Sequence, residues 1–95
     1  MLTSKERAAL RAKAHRLSAI FHVGKEGVSP TFVQGVRDAL EARELIKIDV
    51  LDNCELDIHT AAEMVASRSG AQIVQTIGRK FVLYKKSKSK KEGLL

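Results

Sequence analysis

The stretch 21-FHVGKEGVSPTF-32 determines how this chain is organised, because two glycines in it join an apolar run to a helix start. Residues 19–23 form a short apolar run between Ser18 and Gly24, which predicts a buried strand. Ser29 and Pro30 are the residue types preferred at the N-cap and at the first position of a helix. Gly24 to Gly27, the first four of the five residues between these signals, therefore form a GxxG loop that leaves a strand and leads to a helix.

Helix and strand signals continue on both sides of this loop. Upstream, Thr3 and Glu6 form a capping box that predicts a helix over about residues 4–17, with Leu10, Ala14 and Leu17 as its apolar stripe. Downstream, the patterns predict the helix from Pro30, a half-exposed strand, a third helix closed by Gly70, and a hairpin with Gly78-Arg79 as its turn. The last four elements are predicted at residues 45–51, 57–69, 71–77 and 80–84.

The element order αβαβαββ predicts an α/β fold, because strands separated by helices form βαβ units. We expect a single compact domain with a mixed four-stranded sheet and three helices. Ninety-five residues suit one domain, and its predicted extent is residues 1–86. Residues 87–95 are rich in Lys and Ser without periodicity, so this basic tail is predicted to be disordered.

Charge is distributed unevenly along the chain, whose net charge is +6. Residues 1–25 carry six basic groups and one acidic group, residues 26–78 carry four basic and nine acidic groups, and residues 79–95 carry seven basic groups and one acidic group. Two basic ends therefore flank an acidic middle. If the fold brings both ends to one side, they form the positive face typical of proteins that bind polyanions.

Several classes of protein fit this composition poorly. Cys54 is the single cysteine and the three histidines are scattered, so no metal site or disulfide is predicted, and a reducing, cytoplasmic location is expected. No signal peptide or membrane span is predicted. Three Phe, one Tyr and no Trp argue against a reader of stacked bases. No catalytic arrangement, cofactor site or small-molecule cofactor is predicted.

The residues alone leave the function of the GxxG loop open. The Walker A and dinucleotide-binding patterns are both absent, so a deep phosphate pocket is not predicted. Lys25 places a charge at the tip, Glu26 offsets it, and the following helix start favours an anion. This combination suits contact with a nucleic-acid backbone, since glycines allow a close approach. The alternative is a flexible turn between a strand and a helix.

Taken together, the ordered segments resemble the CRM domain, named for chloroplast RNA splicing and ribosome maturation, and most closely its short stand-alone bacterial members of the YhbY type. The resemblance covers roughly residues 2–85 and departs at Ala19, where the family usually has proline, and at Lys85, where it commonly has arginine. The segments that carry it are 10-LRAKA-14, 23-VGKEGVS-29, 43-RELIKIDV-50, Gly70 and 74-VQTIGRKFVLYK-85.

This resemblance implies an RNA-binding domain similar in fold to the C-terminal domain of a bacterial translation initiation factor, with a GxxG loop like that of KH domains. It also implies ribosomal RNA (rRNA) in precursor large ribosomal subunits as the partner. The candidate RNA-binding residues are the loop and the basic groups of the first helix and the hairpin: Lys5, Arg7, Arg11, Lys13, Gly24, Lys25, Glu26, Gly27, Arg79 and Lys80.

Three other functions stay open at this point. A DNA-binding module could use the same basic face, although strands separate the helices that a helix-turn-helix would need. A protein-interaction domain could carry the charges for solubility alone. An enzyme is the third, and we expect no catalytic activity because no catalytic set is recognisable.

Overall fold

Seven elements follow one another in the predicted order in the computed structural model, which describes residues 2–88, 93 and 95. They are α1 (Ser4–Ala14), β1 (Phe21–Val23), α2 (Pro30–Arg43), β2 (Leu45–Val50), α3 (Ile58–Ser69), β3 (Gln72–Ile77) and β4 (Lys80–Tyr84). The prediction of an α/β fold with three helices and a mixed four-stranded sheet is confirmed.

The sheet has the strand order β1-β2-β4-β3, so β4 lies between β2 and β3. β1 pairs parallel with β2, and both remaining pairs are antiparallel. The register brings Val23 opposite Val50, Asp49 opposite Lys80, and Lys80 opposite Ile77. The GxxG loop, the turn at residues 51–53 and the β3–β4 hairpin turn therefore lie at the same end of the sheet, which we call the loop end.

Helices cover the sheet on both faces. α2 and α3 pack on one face around the larger core, which includes Val36, Ile48 and Phe81. α1 packs on the other face, where a smaller cluster joins Leu10 and Ala14 to residues of three strands. Because side chains alternate across each strand, neighbouring residues such as Phe81 and Val82 belong to the two different clusters.

Most helix ends agree with their sequence signals. The capping box at Thr3 and Glu6, the N-cap Ser29 with Pro30 behind it, and the left-handed C-cap Gly70 are all present. Asp57, a cap that the pattern did not identify, accepts a hydrogen bond from the backbone N–H of Thr60 at 2.8 Å.

The first helix and first strand are shorter than predicted. α1 ends at Ala14, because a tight turn follows in which the Leu17 N–H donates to the carbonyl of Ala14 at 2.9 Å. β1 begins at Phe21, and the prediction of a buried strand is wrong for His22, whose side chain is 54% exposed. The reason is that β1 is an edge strand with His22 on the face that carries α1, which does not cover it.

The predicted hairpin turn is confirmed. Ile77 pairs with Lys80, which leaves Gly78 and Arg79 as a two-residue loop. Gly78 has a φ of +59°, the left-handed value that such a turn requires at its first central position.

The start of the predicted tail makes specific contacts. Ser87 is buried; its backbone N–H donates to the Glu44 carboxylate at 2.6 Å and its hydroxyl donates to the carbonyl of Glu41 at 2.6 Å. These bonds hold the chain after β4 against the end of α2. The division into a domain over 1–86 and a disordered tail over 87–95 stays a prediction, since residues 89–92 and 94 lie outside the described part.

None of the helices in the described residues is both long enough and apolar enough to span a membrane.

The cap at Asp57 leads to a prediction about pH. The backbone hydrogen bond from Thr60 is the main cause that lowers the pKa of the Asp57 carboxyl from its ordinary value of 3.8. A lowered pKa in the folded state means that the ionised cap stabilises the fold above about pH 4 and that this contribution is lost at lower pH. Relative to Asp57→Asn, which can still cap but is uncharged, the wild type should lose stability between pH 7 and pH 3.

Urea denaturation midpoints of the two proteins at both pH values measure this effect. Glu55→Gln is the matched control, since it removes the same charge from an exposed position two residues away. The prediction is contradicted if the midpoints of wild type and Asp57→Asn differ by the same amount at pH 7 and at pH 3. It is also contradicted if Glu55→Gln changes the pH dependence of the midpoint as much as Asp57→Asn does.

Candidate nucleic-acid interface

The GxxG loop is a tight turn with an exposed tip. The Gly27 N–H donates to the carbonyl of Gly24 at 3.0 Å, which closes the loop on itself. Lys25 and Glu26 at the tip are both exposed. Ser29 then accepts a hydrogen bond from the N–H of Phe32 at 3.1 Å and begins α2. The loop therefore presents one cation and one anion to solvent, directly beside a helix N-terminus.

The two glycines of the loop are required for different reasons. Gly27 has a φ of +70°, where L side chains are strained, although a Cβ atom there would contact nothing within 4 Å. A Cβ atom on Gly24 would lie 3.3 Å from Cδ1 of Leu51 and 3.5 Å from Oδ1 of Asn53. The first position is thus constrained by neighbours and the second by backbone conformation.

Arg79 connects the hairpin to the neighbouring turn at the loop end. Its Nε donates to the carbonyl of Val50 at 2.9 Å and its Nη2 donates to the carbonyl of Leu51 at 2.7 Å. Nε also lies 3.3 Å from a carboxylate oxygen of the exposed Asp52. The guanidinium of Arg79 therefore fixes the turn at residues 51–53, against which Gly24 packs.

Acidic groups accompany every predicted cation at the loop end. Lys25 is followed by Glu26, Arg79 is paired with Asp52, and Lys80 lies directly opposite Asp49 in the sheet register. Asp49 also contacts Nδ1 of His22. The loop end is therefore close to neutral, so a polyanion that contacted it would be held by shape and local geometry more than by excess charge.

The predicted cations of α1 lie elsewhere. Arg7 is half-buried, and its Nη1 donates to the carbonyls of Ile73 and Val74 at 2.5 and 2.9 Å, at the irregularity of edge strand β3. Lys5, Arg11 and Lys13 are exposed. Because α1 packs near the ends of the strands opposite the loop end, the structure separates the candidate residues into two groups.

Two arginines that sequence reasoning did not include support the GxxG loop. Arg68 of α3 donates from Nη1 to the carbonyl of Val28, immediately after the loop, at 3.1 Å. Arg37 of α2 donates from Nη2 to the carbonyl of Arg68 at 2.6 Å. These contacts had no signal in the sequence, because they join residues that are 31 and 40 positions apart.

The titratable groups in the described part of the chain do not form a recognisable catalytic site. Among residues 2–88, 93 and 95, no three His, Cys, Asp or Glu side chains are grouped so that they could hold a metal ion. His22 contacts Asp49, but within the described chain no hydroxyl or thiol is hydrogen-bonded to His22. The thiol of Cys54 is half-buried. The arrangement suits binding through the backbone loop and surface cations.

The chain is similar to known proteins over nearly its whole length. The family model described as the CRS1/YhbY (CRM) domain matches residues 2–85. "Probable RNA-binding protein YqeI" of Bacillus subtilis is 52% identical over 92 residues, which cover 97% of this chain and 96% of that protein. "Probable RNA-binding protein MJ0652" of Methanocaldococcus jannaschii is 37% identical over 86 residues, or 88% of this chain and 63% of that protein.

A solved structure has the same fold. The solution structure of the Staphylococcus aureus protein SAV1595 superposes with a TM-score of 0.79 at 40% sequence identity. The match covers 96% of this chain and 95% of that protein.

Proposed function

Because the chain belongs to the CRS1/YhbY (CRM) domain family, we propose that it is a non-enzymatic protein that binds structured RNA through the sugar-phosphate backbone. The observation that carries this proposal is the loop Gly24–Gly27, set between β1 and α2 with Lys25 exposed at its tip. The names of its relatives as RNA-binding proteins support the choice of nucleic acid.

The loop would contact RNA by close backbone approach. At Gly27 no Cβ atom stands between the chain and a ligand, and Thr31 in the first turn of α2 offers an N–H group to an anion, since Pro30 has none and the N–H of Phe32 donates to Ser29. Lys25 would contribute a phosphate contact. Arg68 and Arg79 would act as positioning residues, since each holds a carbonyl beside the loop. This mode of binding reads shape and backbone more than base sequence.

The surface of α1 would add the electrostatic part of binding. Lys5, Arg11 and Lys13 are exposed, and Arg7 is half-buried where its guanidinium donates to two carbonyls at the irregularity of β3. Phosphate neutralisation by such residues supplies affinity that does not depend on sequence. We propose rRNA in precursors of the large ribosomal subunit as the target, and a cytoplasmic location follows from that target.

One experiment tests both the class of partner and the target. The protein is crosslinked in cells, and the attached RNA and the sedimenting particle are identified. In vitro, affinities for a structured rRNA fragment and for a DNA duplex are compared at the same salt concentration. Recovery of large-subunit rRNA and a preference for the RNA fragment are expected. Equal affinity for the DNA duplex, or no attached RNA, would overturn the proposal.

Salt dependence should follow from phosphate neutralisation. We expect log K for RNA to fall linearly with log salt, at a slope of about −0.7 to −0.9 for each phosphate contact. Replacing Lys5 and Arg11 by Gln should make the slope shallower by roughly one to two units. Titrations at several salt concentrations measure it, and an affinity that does not change with salt would show that the basic groups are not the interface.

A further inference from the structure

A basic cleft lies at the end of the sheet opposite the GxxG loop. Lys13 of α1 and Arg43 of α2 line a cleft of about 290 Å³ whose apolar wall is formed by Leu17 and Leu45. A smaller cavity of about 160 Å³ shares Arg43 and both leucines and extends the cleft to Lys47 of β2. Three separate elements thus each contribute a cation to the walls of two adjoining cavities, which together we call the basic cleft.

The cations of the basic cleft are not neutralised by the fold. Among the residues that the structure describes, no hydrogen bond or ion pair is made by the side chain of Lys13, Arg43 or Lys47. Arg79 at the loop end, in contrast, is paired with Asp52. Like charges that converge without a counter-charge repel one another, so an anion placed among them would be favoured.

We propose that the basic cleft holds an unpaired nucleotide of the RNA, with its phosphate on the cations and its base on the apolar wall, which is chiefly the half-buried Leu17 because Leu45 is only 5% exposed. The apolar wall is the reason for choosing a nucleotide over phosphate alone, because it gives surface to an unstacked base. A base that is paired within a duplex cannot enter a depression of this kind. This inference rests on the proposed function and adds to it a preference for RNA with unpaired nucleotides.

One RNA molecule that is long enough can contact the basic cleft and the loop end at the same time. β2 runs from Leu45 at the cleft to Val50 at the loop end, about 17 Å at the usual rise per strand residue. Once such an RNA is bound at one site, its contact with the other site forms within the same complex. The affinity of the protein for this RNA is therefore higher than the affinity of either site alone. A short oligonucleotide should not gain this advantage.

The test compares two variants that lose the same charge. Arg43→Gln/Lys47→Gln removes two cations of the basic cleft, whereas Lys86→Gln/Lys88→Gln removes two exposed cations that do not line it. The probes are an oligouridylate and a blunt RNA duplex. The cleft variant should bind oligouridylate about tenfold more weakly or worse, since charge-assisted contacts are each worth on the order of tenfold. Its affinity for the duplex, and both affinities of the control variant, should change about twofold or less.

A second measurement uses the wild-type protein and does not depend on how the variants fold. During titration with oligouridylate, the backbone amide resonances of Leu17, Leu45 and Lys47 should shift. Inorganic polyphosphate should compete only weakly, because it lacks a base.

The possible outcomes separate this inference from the proposed function. If wild type binds neither RNA, the proposed function fails together with the cleft. If wild type binds RNA but the cleft variant keeps its affinity, or the control variant loses as much, only the cleft is wrong. Equal competition by polyphosphate would likewise overturn the nucleotide assignment.

Discussion

Replacement of both loop glycines by aspartate should lower the affinity for structured RNA roughly a hundredfold, since two charge-assisted contacts are worth about tenfold each. Gly24→Asp/Gly27→Asp would place two negative charges at the closest approach between the loop and a phosphate backbone. The exposed Lys25 would then be surrounded by anions, because Glu26 is already beside it. Affinity is measured by titration with a structured rRNA fragment at fixed salt.

The control for this experiment separates charge from backbone strain. Gly24→Ala/Gly27→Asn adds side chains at the same two positions without adding charge. The Cβ atom at position 24 lies near Leu51 in both variants, and asparagine tolerates the left-handed φ at position 27. We expect this uncharged variant to bind only a few-fold more weakly than wild type. If the aspartate variant keeps its thermal midpoint and also its affinity, the loop does not contact RNA.

The parts of the fold that the sequence predicted well are those with local causes. Helix starts at Thr3 and Ser29 depend on side chains within three positions of the helix, and the Gly78-Arg79 turn depends on one residue with a positive φ. The apolar stripe of α1 was also found from spacing alone, since Leu10 and Ala14 are both fully buried. Local signals of this kind are independent of strand order.

The parts that were missed depend on contacts across the sheet. Arg79 was treated as a free cation, but its guanidinium binds carbonyls 28 and 29 positions earlier because β4 pairs with β2. Arg7 donates to two carbonyls of β3, an edge strand whose position follows only from the complete strand order. Charge counts along the chain could not show which cations the fold neutralises.

The candidate site was therefore predictable as a set of segments and not as a surface. The GxxG loop could be located from its strand–glycine–helix setting, and the structure places it as expected between β1 and α2. The grouping of Lys13 with Arg43 and Lys47 had no signal in the sequence, because these residues come together only when α1 crosses the end of β2. Which residues contact RNA stays a proposal for both groups.

The attachment of α1 should depend heavily on a single leucine. Leu10 is fully buried in the smaller of the two clusters, where it packs with Leu45, Val82 and Tyr84. Leu10→Ala should lower the free energy of unfolding by about 2–5 kcal/mol, the range for buried leucines that leave a cavity. Since small domains are stable by about 5–15 kcal/mol in total, this is a large share. Urea denaturation measures the change.

Leu51→Ala is the matched control for this loss, because it removes the same atoms from a side chain that is 41% exposed. We expect it to cost less than about 1 kcal/mol, since little apolar surface leaves a buried environment.

α1 carries Lys13, so a loosened helix should also weaken the basic cleft, and Leu10→Ala should bind oligouridylate more weakly even at a temperature where it is folded. A loss of stability for Leu10→Ala of less than about 1 kcal/mol, as small as the one expected for Leu51→Ala, would mean that α1 does not depend on Leu10 for its packing on the sheet.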